Sequence, residues 1–366
     1  MVTQTPKHIL IAPLDWGLGH TTRCVSIIRY LQSLGHVPVI ACSSSQRSFI
    51  EETFSGIDII HLNGYDVTYS KWNRFAQIGL LSQLPRINKA ISNEHTWLQQ
   101  QAKGLKLDGI ISDNRYGLFH PDIPSVIMTH QLCIQTGFGN ISDRAIQKLH
   151  FKYLNNFSAT WIVDVPGEPN LAGKLSHPLR LPQHAKYIGL LSQFEGLAPR
   201  HSNGKPDTLL ILLSGPEPQR TTLSKILWQQ VQHYNGNVVF IDGSDNATTP
   251  DIIPSHITYH KRLANEALAP ILQNAGMVIC RSGYSTIMDL VALHKKAILI
   301  PTPGQTEQEY LGKYLHGNGV FYCAGQDNFD LGKALNEVAG FPFKTLMLQS
   351  HYTDHKKVIG EWVSTL

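Results

Sequence analysis

The chain has 366 residues, more than the roughly 250 to 300 that one hydrophobic core usually organises, so two domains are expected. A composition that is 42% hydrophobic and 16% charged excludes a disordered or fibrous chain. The net charge of +4, with no lysine or arginine block, argues against a dedicated nucleic-acid binder and suits an anionic substrate or an anionic membrane surface.

Short β-rich apolar runs alternate with longer amphipathic stretches, the pattern of parallel sheets with crossover helices. In order the first half reads as a strand "HILIAPL", a helix from about Thr22 to Leu34, a strand "VPVIAC", a helix, and a strand "IDIIHL". A long helical stretch near Arg86 to Lys103 follows, then the strands "LDGIISD", "PSVIMTH" and "ATWIVD". Residues 1–165 are therefore expected to form one doubly wound, Rossmann-like α/β domain. Residues 166–205, rich in Pro, Gly and Ser and without a clear period, read as a linker.

The alternation restarts over 206–345 with "TLLILLS", a helix from about Arg220, "NVVFID", "ITYHKRL", the helical "NEALAPILQNA", "MVICR", a helix near Ser285, "AILIPTP", another helix, and "GVFYC". This predicts a second doubly wound domain. Residues 346–366 read as a terminal helix that packs back toward the N-terminal domain. The five cysteines are far apart and show no CxxC spacing, which reads as a reduced chain with buried thiols. With no stretch near the ~18 apolar residues of a spanning helix, the expected location is the cytoplasm, at most peripheral to the inner membrane face.

Open α/β sheets bind ligands at the carboxyl ends of their strands, and the motifs lie there. In "DWGLGHTTR", Gly17 and Gly19 follow the first strand. A dinucleotide fingerprint also needs a third glycine and an acid ending the next strand. Thr22 stands where that glycine belongs, and the next strand runs into "SSSQR". A 2′-phosphate cofactor held by Ser43 to Ser45 and Arg47 stays open, but no cofactor is expected. Glycines that only make a turn would not explain His20. A histidine in the first turn of a helix faces the positive end of the helix dipole, stays neutral near pH 7, and is a general-base candidate.

The loop "GLGHTTR" resembles that of inverting GT-B glycosyltransferases, in the group related to the bacterial enzyme that adds N-acetylglucosamine to the peptidoglycan lipid precursor. A second stretch, "ICRSGYSTIMDLVALHKKAILIPTPGQTEQEYLGKYL", is similar to the nucleotide-sugar signature of the same group. The resemblance implies a GT-B fold, two Rossmann-like domains facing a central cleft, with a family 28-like C-terminal domain. Carried over, Arg281, Ser282, Gly283 and Thr286 match the turn, with Ser285 beside it at the helix start. Asp289 takes the ribose position, Gln308 and Glu309 the sugar-facing loop, and the segment at Leu263 the base. The residues alone also allow Thr286 and Asp289 to be an ordinary capping box. This chain departs from the group in having Asp289 for Glu and Glu309 for Gln. In "LLSGPEPQR" two prolines without N–H groups leave Ser214, Gly215, Gln219 and Arg220 for a phosphate.

"DGIISDNRYG" places Asp113, Asn114 and Arg115 at a strand end. Asp113 is a candidate to orient His20 as a dyad, or to close the strand as an Asx turn. Asn114 and Arg115, with His130 and Gln131 after the next strand, are acceptor-side candidates. The basic, aromatic stretch Tyr69 to Leu81, with Lys71, Trp72, Arg74 and Phe75, reads either as a lipid contact or as a helix flank. The reading is an inverting glycosyltransferase that needs no metal, with a nucleotide-sugar donor that the resemblance implies is UDP-linked, and an unknown, lipid-linked or other, hydroxyl acceptor. A nucleotide-sugar hydrolase of the same fold and a non-catalytic nucleotide-sugar binder are the alternatives.

Overall fold

The structure, a computed structural model, describes residues 5–65, 84–134, 139–197 and 208–366. Among these the chain divides into two compact units: 5–65, 84–134, 139–193 and 349–366 form the first, and 194–197 and 208–348 the second. The stretch Tyr69 to Leu81, read as a lipid contact or a helix flank, lies outside the described residues.

The first unit is built on strands β1 (His8–Pro13), β2 (Val37–Cys42), β3 (Asp58–His61), β4 (Gly109–Asp113), β5 (Ser125–Thr129), β6 (Ala159–Ile162) and β7 (Ala185–Tyr187). They form a seven-stranded parallel sheet of order β3-β2-β1-β4-β5-β6-β7. Helices α1 (Leu18–Ser33), α2 (Ser44–Thr53), α3 (Leu84–Leu105) and α4 (Asn140–Leu154) cross between strands. Ile9, Leu10, Ile11, Ile110 and Ile111 are fully buried, as continuous apolar strands covered on both faces must be. The strand order reverses between β1 and β4, and their ends are joined where the Leu14 amide donates to the Asp113 carbonyl, 3.0 Å. A reversal of this kind opens a crevice at the carboxyl ends.

Helix α1 begins at Leu18, earlier than the expected Thr22. Gly17, at φ 84°, ends the incoming turn, and the polar residues His20, Thr21 and Thr22 occupy the first turn. Thr21 is fully buried and accepts from the Gln46 amide, 2.8 Å, which is why a polar run could join the helix.

Residues 166–193, expected as linker, are instead part of the first unit. They supply β7, and Leu171, Leu175, Ile188, Leu190 and Leu191 are buried. The segment lacks a period because one buried carboxylate organises it rather than a ladder. Asp164 accepts from the amides of Val165, Leu171 and Ala172 and from the Ser176 hydroxyl. The tail also belongs to this unit: helix α10 (Asp354–Val363) sets Trp362 edge-on to Trp161, 5.4 Å between ring centroids.

The second unit has strands β8 (Leu209–Leu212), β9 (Val238–Ile241), β10 (Ile257–His260), β11 (Met277–Cys280), β12 (Ala297–Leu299) and β13 (Tyr322–Cys323). All are parallel, in the order β10-β9-β8-β11-β12-β13. Helices α5 (Gln219–Val231), α6 (Asn265–Asn274), α7 (Tyr284–Ala292), α8 (Thr306–Gly317) and α9 (Leu331–Val338) accompany them. A core of Leu209, Ile211, Leu223, Leu227, Phe240, Ile279 and Ile298 lies against this sheet. Here the order reverses between β8 and β11. No helix among the described residues is long and apolar enough to cross a membrane.

Candidate functional site

In the first unit the candidate residues collect at the reversal point. Gly17 donates to the Asp15 carbonyl, 2.9 Å, so Trp16 sits at the apex of a tight turn and α1 starts immediately afterwards. His20 then lies in the first turn, and its Nδ1 is 3.1 Å from Asp113 Oδ2 at the end of β4. Asp113 does not close its own strand. Ser112 does so, its hydroxyl donating to the Arg115 carbonyl, 2.6 Å.

Asp113 is fully buried and gripped by Arg23, one turn along α1 from His20. Arg23 Nε donates to Asp113 Oδ2, 2.7 Å, and Nη2 donates to Oδ1. Nη2 also lies 2.9 Å from His20 Nδ1, and Nη1 3.0 Å from His130 Nδ1. A guanidinium only donates, so His130 accepts through Nδ1 and carries its proton on Nε2.

Burial pushes the Asp113 carboxyl up, but Arg23 and then His20 outweigh it and hold it at about 2. Burial lowers the His20 pKa below the ordinary imidazole value of 6.5, with Asp113 opposing and Arg23 reinforcing the shift. The side chain keeps 15% exposure, and Asp113 and Arg23 both meet it at Nδ1. In the tautomer whose Nδ1–H donates to the Asp113 carboxylate, Arg23 Nη2 beside that nitrogen is a close contact and not a hydrogen bond, and Nε2 of the neutral imidazole is the nitrogen available to take a proton.

The acceptor-side residues fare differently. Arg115 is fully buried; it pairs with Glu94 Oε1, 2.6 Å, and donates to the carbonyls of Pro13 and Asn63. Its charge is consumed in holding the β1 and β3 ends to α3, which corrects its reading as an acceptor contact. His130, 4% exposed, braces Arg23 and is likewise not presented to an acceptor. Asn114 adopts a left-handed conformation, φ 59°, and its Oδ1 is buried without a partner. Gln131 is half-buried just beyond β5.

In the second unit Ser214 and Gly215 are exposed at the end of β8, and Gly215 has φ 104° with open space where a Cβ would stand. Gly283 caps α7 with no side-chain cap bond, and a Cβ there would also meet nothing within 4 Å. Because the helix starts at Tyr284, Thr286 is inside it, and the Thr286–Asp289 capping-box alternative is not adopted. Gly283 thus leaves open space beside the start of α7, and a helix start favours an anion. Ser285 and Thr286 are half-buried and Asp289 is buried on this helix.

Arg281 corrects the sequence reading. It is 1% exposed and donates to the carbonyls of Ile300, Pro301 and Gln219 and to Gln326 Oε1. Its guanidinium staples β11, β12 and α5 together instead of facing a diphosphate. Arg220 is similarly engaged, with Asp242 and Glu217.

Ser282 is buried and its hydroxyl donates to the Gln308 carbonyl, 2.8 Å. Gln308 Oε1 in turn accepts from the Thr302 amide, 2.9 Å, and Glu309 Oε1 from the Gly304 amide, 2.8 Å. These acceptor oxygens shape the loop after β12 rather than reaching out from it. Leu263 lies half-buried just before α6, where Asn265 Nδ2 is buried without a partner. Asn265 lies in the segment expected to hold the base, whereas the sequence reading missed Arg23. For Arg23 the signal was present, since residues three apart share a helix face and Arg23 follows His20 at that spacing.

Comparison with known proteins bears on the fold. Over 99% of the chain and 100% of the other, the fold superposes on the glycosyltransferase SnogD from Streptomyces nogalater, TM-score 0.66 at 14% identity. It also superposes on MurG of Acinetobacter baumannii, TM-score 0.55 at 15% identity, with the same coverage. The chain thus has the GT-B glycosyltransferase fold, two doubly wound parallel sheets.

Residues 215–350 match the glycosyltransferase family 28 C-terminal domain, and the chain carries that domain. Among curated proteins, the UDP-N-acetylglucosamine–N-acetylmuramyl-(pentapeptide) pyrophosphoryl-undecaprenol N-acetylglucosamine transferase of Prochlorococcus marinus (strain MIT 9515) is 32% identical over 98 residues. That stretch covers 26% of this chain and 26% of the relative, so the alignment spans about a quarter of the relative's length.

Proposed function

We propose that this chain is an inverting, metal-independent glycosyltransferase that moves a sugar from a UDP-sugar to a hydroxyl acceptor. The observation that carries the reading is the oriented, neutral His20 at the reversal point of the first sheet, in a chain whose residues 215–350 match a glycosyltransferase domain. His20 removes the acceptor proton as the hydroxyl attacks the anomeric carbon, and Asp113 stabilises the imidazolium that forms. The leaving diphosphate is held by the first amides of α7 and the Ser214–Gly215 loop. Asp289 serves the ribose, and the segment from Leu263 to Asn265 the base.

The UDP preference rests on the donor named for the curated relatives. The undecaprenol in the same names makes a lipid-linked hydroxyl at the cytoplasmic face of the membrane, in building the cell envelope, the first acceptor to test. A thermal-shift panel of UDP, GDP, TDP, NAD and their sugar conjugates tests the donor: selective stabilisation by UDP and a UDP-sugar supports the reading, and selective stabilisation by NAD sinks it. Inversion is read from the anomeric proton coupling of the product, and independence of metal from turnover in a chelator.

One observation favours a second reading, nucleotide-sugar hydrolysis. Relatives of that activity also carry a GxGHxxR loop, and here Gly17, Gly19, His20 and Arg23 fall on it, with Arg23 joined to the base. Nucleotide release at full rate without any acceptor would select hydrolysis over transfer.

A further inference from the structure

Among the described residues Asp113 is the carboxylate that meets the His20 ring, and a carboxylate alone would be read as half of a dyad that raises the basicity of its histidine. The geometry differs, because Asp113 is shared. Arg23 reaches both of its oxygens through Nε and Nη2, while the same guanidinium touches His20 Nδ1 at 2.9 Å and His130 Nδ1 at 3.0 Å. Arg23 and Asp113 are 1% and 0% exposed at their side chains. We propose that Arg23 is a positioning residue of this site: its fork clamps Asp113 at two points, Nη1 donates to His130, Nη2 lies against the His20 ring that Asp113 orients, and the four side chains act as one unit. The proposal deepens the assignment of His20 as base and rests on it for its catalytic meaning.

The groups facing His20 are Asp113 from β4, Arg23 from α1 and His130 from beyond β5. Cys24, on α1, and Tyr116, in the loop after β4, border Asp113 and stay neutral. A fork matched to a carboxylate is a geometry that lysine cannot reproduce. Burial foremost, with the Arg23 guanidinium opposing the Asp113 charge, keeps His20 neutral and ready to accept a proton. His130, accepting from Nη1, stops the guanidinium from turning about its long side chain.

The clamp predicts opposite effects from its two charged members, which a purely structural role would not produce. In the full chain with 15N-labelled histidine, the ring signal of His20 is assigned by its loss in His20→Gln and followed against pH. Arg23→Gln should move His20 protonation to higher pH, because Asp113 is no longer opposed. Asp113→Asn should move it to lower pH, because Arg23 is left facing the ring. Shifts of the same sign, or none in folded variants, overturn the proposal.

A measurement on the unmodified protein covers the case in which a variant does not fold. A clamped Arg23 shows slow solvent exchange of its Nε–H, with His130 protonated at Nε2 only. Fast exchange overturns the clamp. In transfer assays Arg23→Gln should lose about tenfold more rate at pH 6 than at pH 8, since the base must be neutral. The titration reads the ring and not turnover, so opposite shifts without sugar transfer from any donor keep the clamp and discard the transferase reading. Transfer with unmoved titration does the reverse.

Discussion

The two units solve the same topological problem with different materials. In the first, the reversal point between β1 and β4 is filled by ionisable side chains bonded to one another: His20, Arg23, Asp113 and His130. In the second, the reversal point between β8 and β11 presents two glycines with open space around them and a helix start whose N-cap makes no side-chain bond, while the nearby arginines 220 and 281 are turned inward onto carbonyls and carboxylates. A proton-transfer site needs groups whose basicity is tuned by close charges, and burial makes those charges strong. An anion site needs donors that do not have to move, and backbone amides at a helix start meet that need without a charged side chain. The difference teaches that a charged residue in a motif is not by itself a ligand contact.

The largest effect should come from removing the base. His20→Ala is expected to lower transfer by about 10²-fold or more while nucleotide affinity, read by calorimetry on the second unit's ligand, stays as it was. Equal loss of both would erase the division of labour between the units.

Next in size are the buried arginines, whose loss should be felt in stability. Breaking the Arg115–Glu94 pair, 0% and 3% exposed, by Arg115→Met leaves the buried Glu94 without its cation, with only the Tyr65 hydroxyl and the Gly117 amide still donating to it, at a cost of about 3–5 kcal/mol. Arg281→Met strips partners from three carbonyls and a glutamine, and about 3 kcal/mol is a fair scale for that loss. Both are read from urea unfolding. For Arg281→Met the comparison also requires nucleotide affinity to stay within a few-fold of the original at a temperature where the protein is folded. A collapse of affinity without loss of stability would restore Arg281 to the ligand.

The architecture was legible because it rests on periodicity. Continuous apolar strands such as "HILIAP" and "MVIC", separated by amphipathic stretches, can be satisfied only by parallel sheets covered on both faces. His20 and Asp113 were legible as strand-end residues, and the fold brings them to 3.1 Å. What was not legible is the direction in which a long side chain turns. Arg281 and Arg115 stand beside glycine or asparagine turns that look like ligand loops, yet carbonyls left open at strand ends claim them first. The segment 166–193 hid its order for a related reason: Asp164 gathers amides seven and eight residues away, a pattern without period.

Acidity separates the units further. Asp113 has a folded pKa held at about 2, below the ordinary carboxylate value of 3.8. Its contribution to stability is therefore complete above that ordinary value and is lost as pH falls toward about 2. The activity limit is set elsewhere, at His20, whose pKa is depressed by burial foremost. A base must be neutral, so kcat/KM should stay level as pH falls to 6.5 and decline only below it. A profile that falls above pH 6.5 would mean that the Asp113 charge dominates the ring and the clamp is ineffective.

The smallest effect compares two glycines. Gly17 ends the first unit's turn at φ 84°, where an L side chain is strained even though nothing crowds it, and Gly17→Ala should cost about 1–2 kcal/mol. Gly283 has φ −72° and ψ 137°, a conformation any residue adopts, and the space around it is open. Gly283→Ala loses a little as a helix cap and gains a similar amount by restricting the unfolded chain, so stability should change by no more than about 0.5 kcal/mol. The methyl would nevertheless occupy the place where a phosphate approaches the α7 amides, and UDP binding should weaken several-fold. Unchanged binding in a fully stable Gly283→Ala protein would mean that the anion lies elsewhere, with the Ser214–Gly215 loop at the end of β8 the next place to look.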